Sequence, residues 1–308
     1  MIKTPLGKTG LEVSPLGFGA AQIGYLKTEQ EHAAQILNFL LDQGVNVIDT
    51  ASAYGNSEEL IGQSVAQRRG QFVLISKCGI KLPDISASAW SAELITQTVD
   101  RSLRRLRTDA IDVMLLHSCD EQTLRKGEAI AGLLKARESG KIRFAGYSGD
   151  NQAAAYAATL PDIAVIETSI SLADQANIDL VLPAARKNRI GVLAKRSIAN
   201  AAWKDLSAQP GFYKDYASEY TQRLKKMKLD PSALGISGPP ESAWPELALR
   251  FTLSQEGVTT AIIGSTNLQN VQRNIQYVAK GPLPPQTVQN IREAFARAKG
   301  RRSWPGLG

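Results

Sequence analysis

The chain has 308 residues, 43% of them hydrophobic and 21% charged, with a net charge of +7. That make-up belongs to a globular enzyme and excludes a disordered chain. No apolar run approaches the roughly 18 residues that span a bilayer, and Met1 to Pro5 carries no signal-peptide core, so nothing points to a membrane and a cytoplasmic protein is expected. The two cysteines, Cys78 and Cys119, imply no disulfide framework.

In chain order, Pro5 to Pro15 reads as a hairpin with Gly7 and Gly10 as turn residues. Eight β-branched runs follow: Leu16–Gly19, Val45–Asp49, Phe72–Ser76, Ile111–Leu116, Arg143–Tyr147, Ile163–Thr168, Ile190–Lys195 and Thr259–Ile263. Each is followed by a helical pattern. The first such helix spans Thr28–Gln43, with Thr28 and Glu31 spaced as a capping box and Gly44 as its stop. Strict strand–helix alternation predicts a parallel sheet, and eight strands is the number that closes a (β/α)8 barrel with the hairpin as its N-terminal cap. Gly17-Phe18-Gly19 lacks the rest of a dinucleotide-binding glycine fingerprint, which argues against an open doubly wound sheet. No domain boundary is visible, so residues 1–308 are expected to form one domain.

Positive charge is spread along the chain, so no nucleic-acid partner is implied. Its densest run, Arg101, Arg104, Arg105 and Arg107, shares a helix with the apolar stripe Ile95, Val99, Leu103 and Leu106 and reads as a solvated helix face. Between strand seven and a helix at about Glu241–Gln255 lie more than forty residues, with Trp203, Phe212, Tyr213 and Tyr216. Long excursions of this kind sit on the carboxyl side of barrel strands, where active sites form.

Four polar residues stand at expected strand ends. Asp49 ends strand two and Tyr54 follows five residues later; Lys77 ends strand three and His117 ends strand four. Consecutive barrel strands are neighbours, so all four converge on one patch. A carbonyl that receives hydride needs a proton at its oxygen. A free phenol is a poor acid at neutral pH. Lys77 can lower its pKa, Asp49 can hold Lys77, and His117 can hydrogen-bond the carbonyl oxygen.

With this tetrad, the chain resembles the aldo-keto reductase superfamily along nearly its whole length. The likeness runs through Leu6-Gly7-Lys8-Thr9-Gly10-Leu11-Glu12-Val13-Ser14, Gly44 to Gly55, Gly140-Lys141-Ile142-Arg143, and Ile263-Gly264-Ser265 to Asn274. It implies NADPH-dependent reduction of aldehydes and ketones, with Tyr54 as general acid and NADH as the alternative cofactor. It places Ser148 on the nicotinamide carboxamide, and Gly264, Ser265, Thr266, Asn270 and Asn274 on the adenosine end. There the start of the following helix offers N–H groups to a 2′-phosphate. Asn270 stands where some NADPH-specific members carry arginine. Gly149 replaces a common asparagine, Glu167 a carboxamide-binding glutamine, and Lys195 an aromatic ring that stacks on the nicotinamide. Arg196, Ser197 and Ile198 replace Ser-Pro-Leu beside the pyrophosphate. A lone charge beside the nicotinamide is costly, so Glu167 and Lys195, on adjacent strands, are expected to pair.

Gln22, Trp90, Trp203 and Tyr213 are the expected walls of a pocket for a small-molecule carbonyl. The short tail after Gly300, with Trp304 and Pro305, implies an open one. His32, in a helix and away from strand ends, reads as structural, Cys78 and Cys119 read as packing residues, and two histidines without a Cys/His cluster make no metal site. Two other functions use the same fold: an NAD(P)-dependent sugar or alcohol dehydrogenase, and a nucleotide-binding regulatory protein, against which the intact tetrad argues. Substrate identity and oligomeric state are not legible in these residues.

Overall fold

The structure, a computed structural model, describes residues 1–208 and 214–307. Two short strands, β1 (Thr4–Pro5) and β2 (Glu12–Val13), pair antiparallel as the expected hairpin. Eight parallel strands follow: β3 (Leu16–Gly19), β4 (Val47–Asp49), β5 (Val73–Cys78), β6 (Ile111–His117), β7 (Ile142–Ser148), β8 (Val165–Ser169), β9 (Gly191–Lys195) and β10 (Thr260–Ile263). They pair in chain order, and β10 closes on β3 to complete the barrel.

Strand alternation sorts the core into two clusters. Val47, Val73, Ile75, Val113, Leu115, Val165, Leu193 and Ile262 pack with Leu6, Leu11 and Val13 of the hairpin segment, so the hairpin plugs one end of the barrel interior. The intervening residues Ile48, Leu74, Met114, Leu116, Ala145, Ile166 and Val192 pack outward with the helices. A third cluster, with Tyr220, Leu247, Phe251, Phe295 and Trp304, lies under the later helices.

Local details depart from the sequence pattern in three places. The first long helix spans Gln30–Asp42 with Glu29 at its N-cap, and no side chain caps it. The Thr28/Glu31 capping box does not form, because Thr28 N–H donates to Ile23 O and so completes the preceding turn. Gly44 does end that helix, in the left-handed conformation at φ +79°. The long segment after β9 is not a bare loop: it carries a helix, Lys214–Met227, before the helix Pro240–Leu253. The tail is docked rather than free. Asn151 exchanges hydrogen bonds with the Gly306 backbone at 2.7 and 2.9 Å, and Trp304 packs edge-on to Phe295. No described helix is long and apolar enough to cross a membrane.

Candidate active site

The carboxyl ends of β4, β5 and β6 bring the tetrad together. Asp49 lies opposite Ile75 and Lys77 opposite Leu115 in the ladder, while His117 pairs with Ser148 and Ser148 with Glu167. Lys77 is wholly buried. Its Nζ lies 2.5 Å from Asp49 Oδ1, 3.0 Å from Thr50 O and 3.2 Å from Glu167 Oε2. Burial disfavours the ammonium, but the two carboxylates outweigh it and hold the Lys77 pKa above its ordinary value. Burial and the Glu167 charge push Asp49 well above the usual carboxylate range.

Tyr54 sits in the turn before the helix Ser57–Val65, with its ring 5.3 Å from Lys77 Nζ and edge-to-face with His117 at 5.5 Å. The expected lowering of the phenol pKa by Lys77 is present but does not prevail. Burial dominates and, with Asp49 and Glu167, leaves the phenol above its ordinary value. Burial, then Lys77 and Lys195, pushes His117 down to about 3, so its imidazole is neutral. Its Nδ1 is buried and, among the described residues, has no hydrogen-bond partner.

The arginine-bearing helix, Ala92–Leu106, does more than face solvent. Arg105 donates to Gly55 O and pairs with Glu59; Arg101 Nη1 reaches Ser52 O at 3.4 Å and Arg101 Nε pairs with Asp84 at 2.6 Å. Both arginines approach the buried Glu58, Arg101 at 4.0 Å and Arg105 at 3.7 Å, and Glu58 accepts from Ser76 Oγ at 2.8 Å. This helix therefore clamps the turn that carries Tyr54 and reaches the residue before Lys77. Their i, i+4 spacing was the only sequence signal for it.

Among the residues expected at the cofactor, Ser148 Oγ donates to Glu167 Oε1 at 3.3 Å, and both residues are buried. Gly149 is constrained by Tyr147. A Cβ there would lie 2.3 Å from the Tyr147 hydroxyl, which donates to Cys119 O at 2.6 Å. The asparagine expected here has no room while the Tyr147 ring keeps this position. Ser197 Oγ donates to Ile262 O, and Ile198 bridges the two outer clusters. Arg196 adopts a left-handed backbone, and its guanidinium interacts with Tyr220, Asp150 and Asp174. Gly264 lies against Gly19 O and the Gln22 side chain. Ser265 and Asn274 are buried, and Thr266 O is bonded to His32 Nε2 at 2.6 Å, the structural role expected of that histidine. The helix Leu268–Ala279 starts as foreseen, but Asn267 Oδ1 already accepts from the amides of Gln269 and Asn270. Asn270 Oδ1 in turn accepts from Arg273 at 2.5 Å.

The Glu167–Lys195 pair does not form. Glu167 lies opposite Leu193, and Lys195 opposite Ser169, one inward step further up the barrel. There Lys195 Nζ meets Asp150 Oδ2 at 3.3 Å, and Glu167 turns to Lys77 instead. The pocket residues also divide. Trp90 packs its ring against Gly79, just past β5, and Gln22 stays beside Gly264. Trp203 stacks on Trp244 at 5.8 Å and lines a separate cavity of about 520 Å³ that shares no residue with the tetrad. Tyr213 lies outside the described residues. Cys78 and Cys119 are both buried and free.

A half-buried neutral imidazole, a phenol and a buried ammonium at the mouth of an eight-stranded barrel suit carbonyl chemistry. The sequence profile of the Aldo/keto reductase family matches residues 15–296, and the chain belongs to that family. A Bacillus subtilis oxidoreductase, YqkF, is 28% identical over 90% of each chain. An NADH-specific methylglyoxal reductase of Escherichia coli is 27% identical over 89% of this chain and 93% of that one. The holo form of an aldo-keto reductase from Bacillus halodurans superposes with a TM-score of 0.78 at 25% identity, covering 96% of both chains. The protein is thus an oxidoreductase of carbonyl compounds.

Proposed function

We propose that this protein reduces a small aldehyde or ketone to the alcohol, with NADPH as hydride donor and Tyr54 as proton donor. The observation that carries the reading is the convergence of a half-buried Tyr54 and His117, rings 5.5 Å apart, on the buried Lys77, whose Nζ lies 5.3 Å from the Tyr54 ring. Residues of the site also suit a nicotinamide. Ser148 offers a hydroxyl, Glu167 Oε2 is buried without a hydrogen-bond donor, and Gly264 leaves a close approach that a side chain would fill. The cofactor, when bound, supplies the hydride.

The chain's own residues would do the rest. His117 orients the carbonyl oxygen through a hydrogen bond from a neutral ring. Tyr54 keeps its proton until charge develops on that oxygen, then transfers it. Lys77 stabilises the phenolate that results, and Asp49 holds Lys77 in place. Ser265, Thr266 and the Arg273 guanidinium form the seat for a 2′-phosphate, since two of the helix amides are already taken by Asn267.

Following the loss of NADPH absorbance with a reactive aldehyde such as 4-nitrobenzaldehyde tests the activity; no turnover across a carbonyl panel would overturn it. Comparing kcat/KM for NADPH and NADH tests the cofactor, and a ratio favouring NADH reverses that part. Ser265→Asp should impair NADPH use specifically, by about tenfold or more, because it sets a like charge against the phosphate.

A further inference from the structure

Around the proposed nicotinamide site, one buried lysine faces two carboxylates. Lys77 is matched by Asp49 at 2.5 Å, and Lys195 by Asp150 at 3.3 Å. Arg196 faces Asp150 and Asp174. Glu167 has no such partner to itself: the nearest ammonium, Lys77, is shared with Asp49. It stands 3.2 Å from a lysine already held by Asp49. Glu167 is 2% exposed, and its Oε1 is tied to Ser148 Oγ, the hydroxyl expected at the carboxamide. In a glutamine at this position the same contacts would carry no charge.

The two forms of a nicotinamide differ by one positive charge on the ring: the reduced ring is neutral and the oxidised ring is a cation. A fixed anion in a site closed to water discriminates between them far more than it would in solvent. We propose that the Glu167 carboxylate favours the oxidised ring and thereby makes the reduced cofactor a stronger hydride donor in this protein. The inference rests on the reductase reading and adds a direction to it. By linkage, the ratio of dissociation constants for the reduced and oxidised forms measures the change in the bound cofactor's potential. The same charge tightens the hold on the oxidised product relative to the reduced form.

The test is calorimetric titration of the purified protein with NADPH and with NADP⁺, repeated with NADH and NAD⁺, so that no turnover enters the measurement. Glu167→Gln keeps the shape and the carboxamide acceptor but removes the charge. It should weaken the oxidised form relative to the reduced form by about tenfold, the scale of one partly screened charge at close range. Glu167→Asp retains the charge and should leave the ratio near that of the parent protein. Lys195→Met removes a cation and frees Asp150, so it should move the ratio in the opposite direction; this arm stands even where Glu167→Gln fails to fold. An unchanged ratio in Glu167→Gln, an equal shift in Glu167→Asp, or a Lys195→Met shift towards the reduced form overturns the inference while the reductase reading stands. Failure of the parent protein to bind either form would instead overturn that reading.

Discussion

The two ends of the barrel interior are built from the same strands and have opposite chemistry. At the hairpin end, Val73 and Ile75 of β5, Val113 and Leu115 of β6, and Val165 of β8 are buried against one another. Two residues further along, the same inward positions hold Lys77, His117 and Glu167. One step along the pleat thus separates a floor whose burial stabilises the fold from a roof whose burial is costly. The roof is tolerable because its carboxylates face its ammonium groups and because the floor and the helices hold the strands in place. The difference teaches that stability and chemistry are separable along a single strand.

That separation can be tested from both ends. Tyr54→Phe, at the roof, should lower turnover by about 10²–10⁴ with cofactor affinity and thermal stability little changed; retention of more than half the turnover at saturating cofactor would remove Tyr54 from the proton-donor role. Leu115→Ala, at the floor, should cost roughly 2–5 kcal/mol in urea unfolding, with turnover per folded molecule preserved. If the floor variant lost rate instead, the two ends would not be independent.

The rim of the roof offers a smaller, pH-dependent contrast. Burial and Asp150 push the Asp174 carboxyl up to about 6, above its unfolded value. Between the unfolded and folded values the native state binds more protons, so this group's contribution to stability is present at low pH and lost as pH rises through about 6. Asp174→Asn lacks that slope. Relative to the wild type, its stability should gain roughly 2 kcal/mol between pH 4.5 and 7, read from urea unfolding at the two pH values. A constant gap would mean that Asp174 is not the titrating group. The smallest effect is expected in the loop after β9, where Ala201 is left-handed at φ +53°. Ala201→Gly relieves that backbone and should raise stability by about 1 kcal/mol, visible as a higher Tm; a lower Tm would show that the methyl group contributes more than the strain costs.

What could be read in the sequence is what depends on local periodicity. The barrel strands start within two residues of the β-branched runs, because side-chain alternation and the turn residues between runs are local properties. Asp49, Lys77 and His117 were legible as a site for the same reason: each lies at or within one residue of a strand's carboxyl end, and closure of the barrel makes those ends neighbours. Tyr54 needed only its short distance from Asp49. Partner choice was decided by the tertiary structure. Glu167 and Lys195 are on adjacent strands, yet the stagger of β8 against β9 sets them one level apart, so Lys195 meets Asp150 while Glu167 shares Lys77 with Asp49. The net direction of the Tyr54 phenol, the role of Arg101 and Arg105 as a clamp, the crowding of Gly149 by Tyr147 and the withdrawal of Trp203 onto Trp244 share that origin. Each depends on distances between residues remote in the chain. Ion pairing and desolvation vary steeply with those distances, and no periodicity in the sequence encodes them.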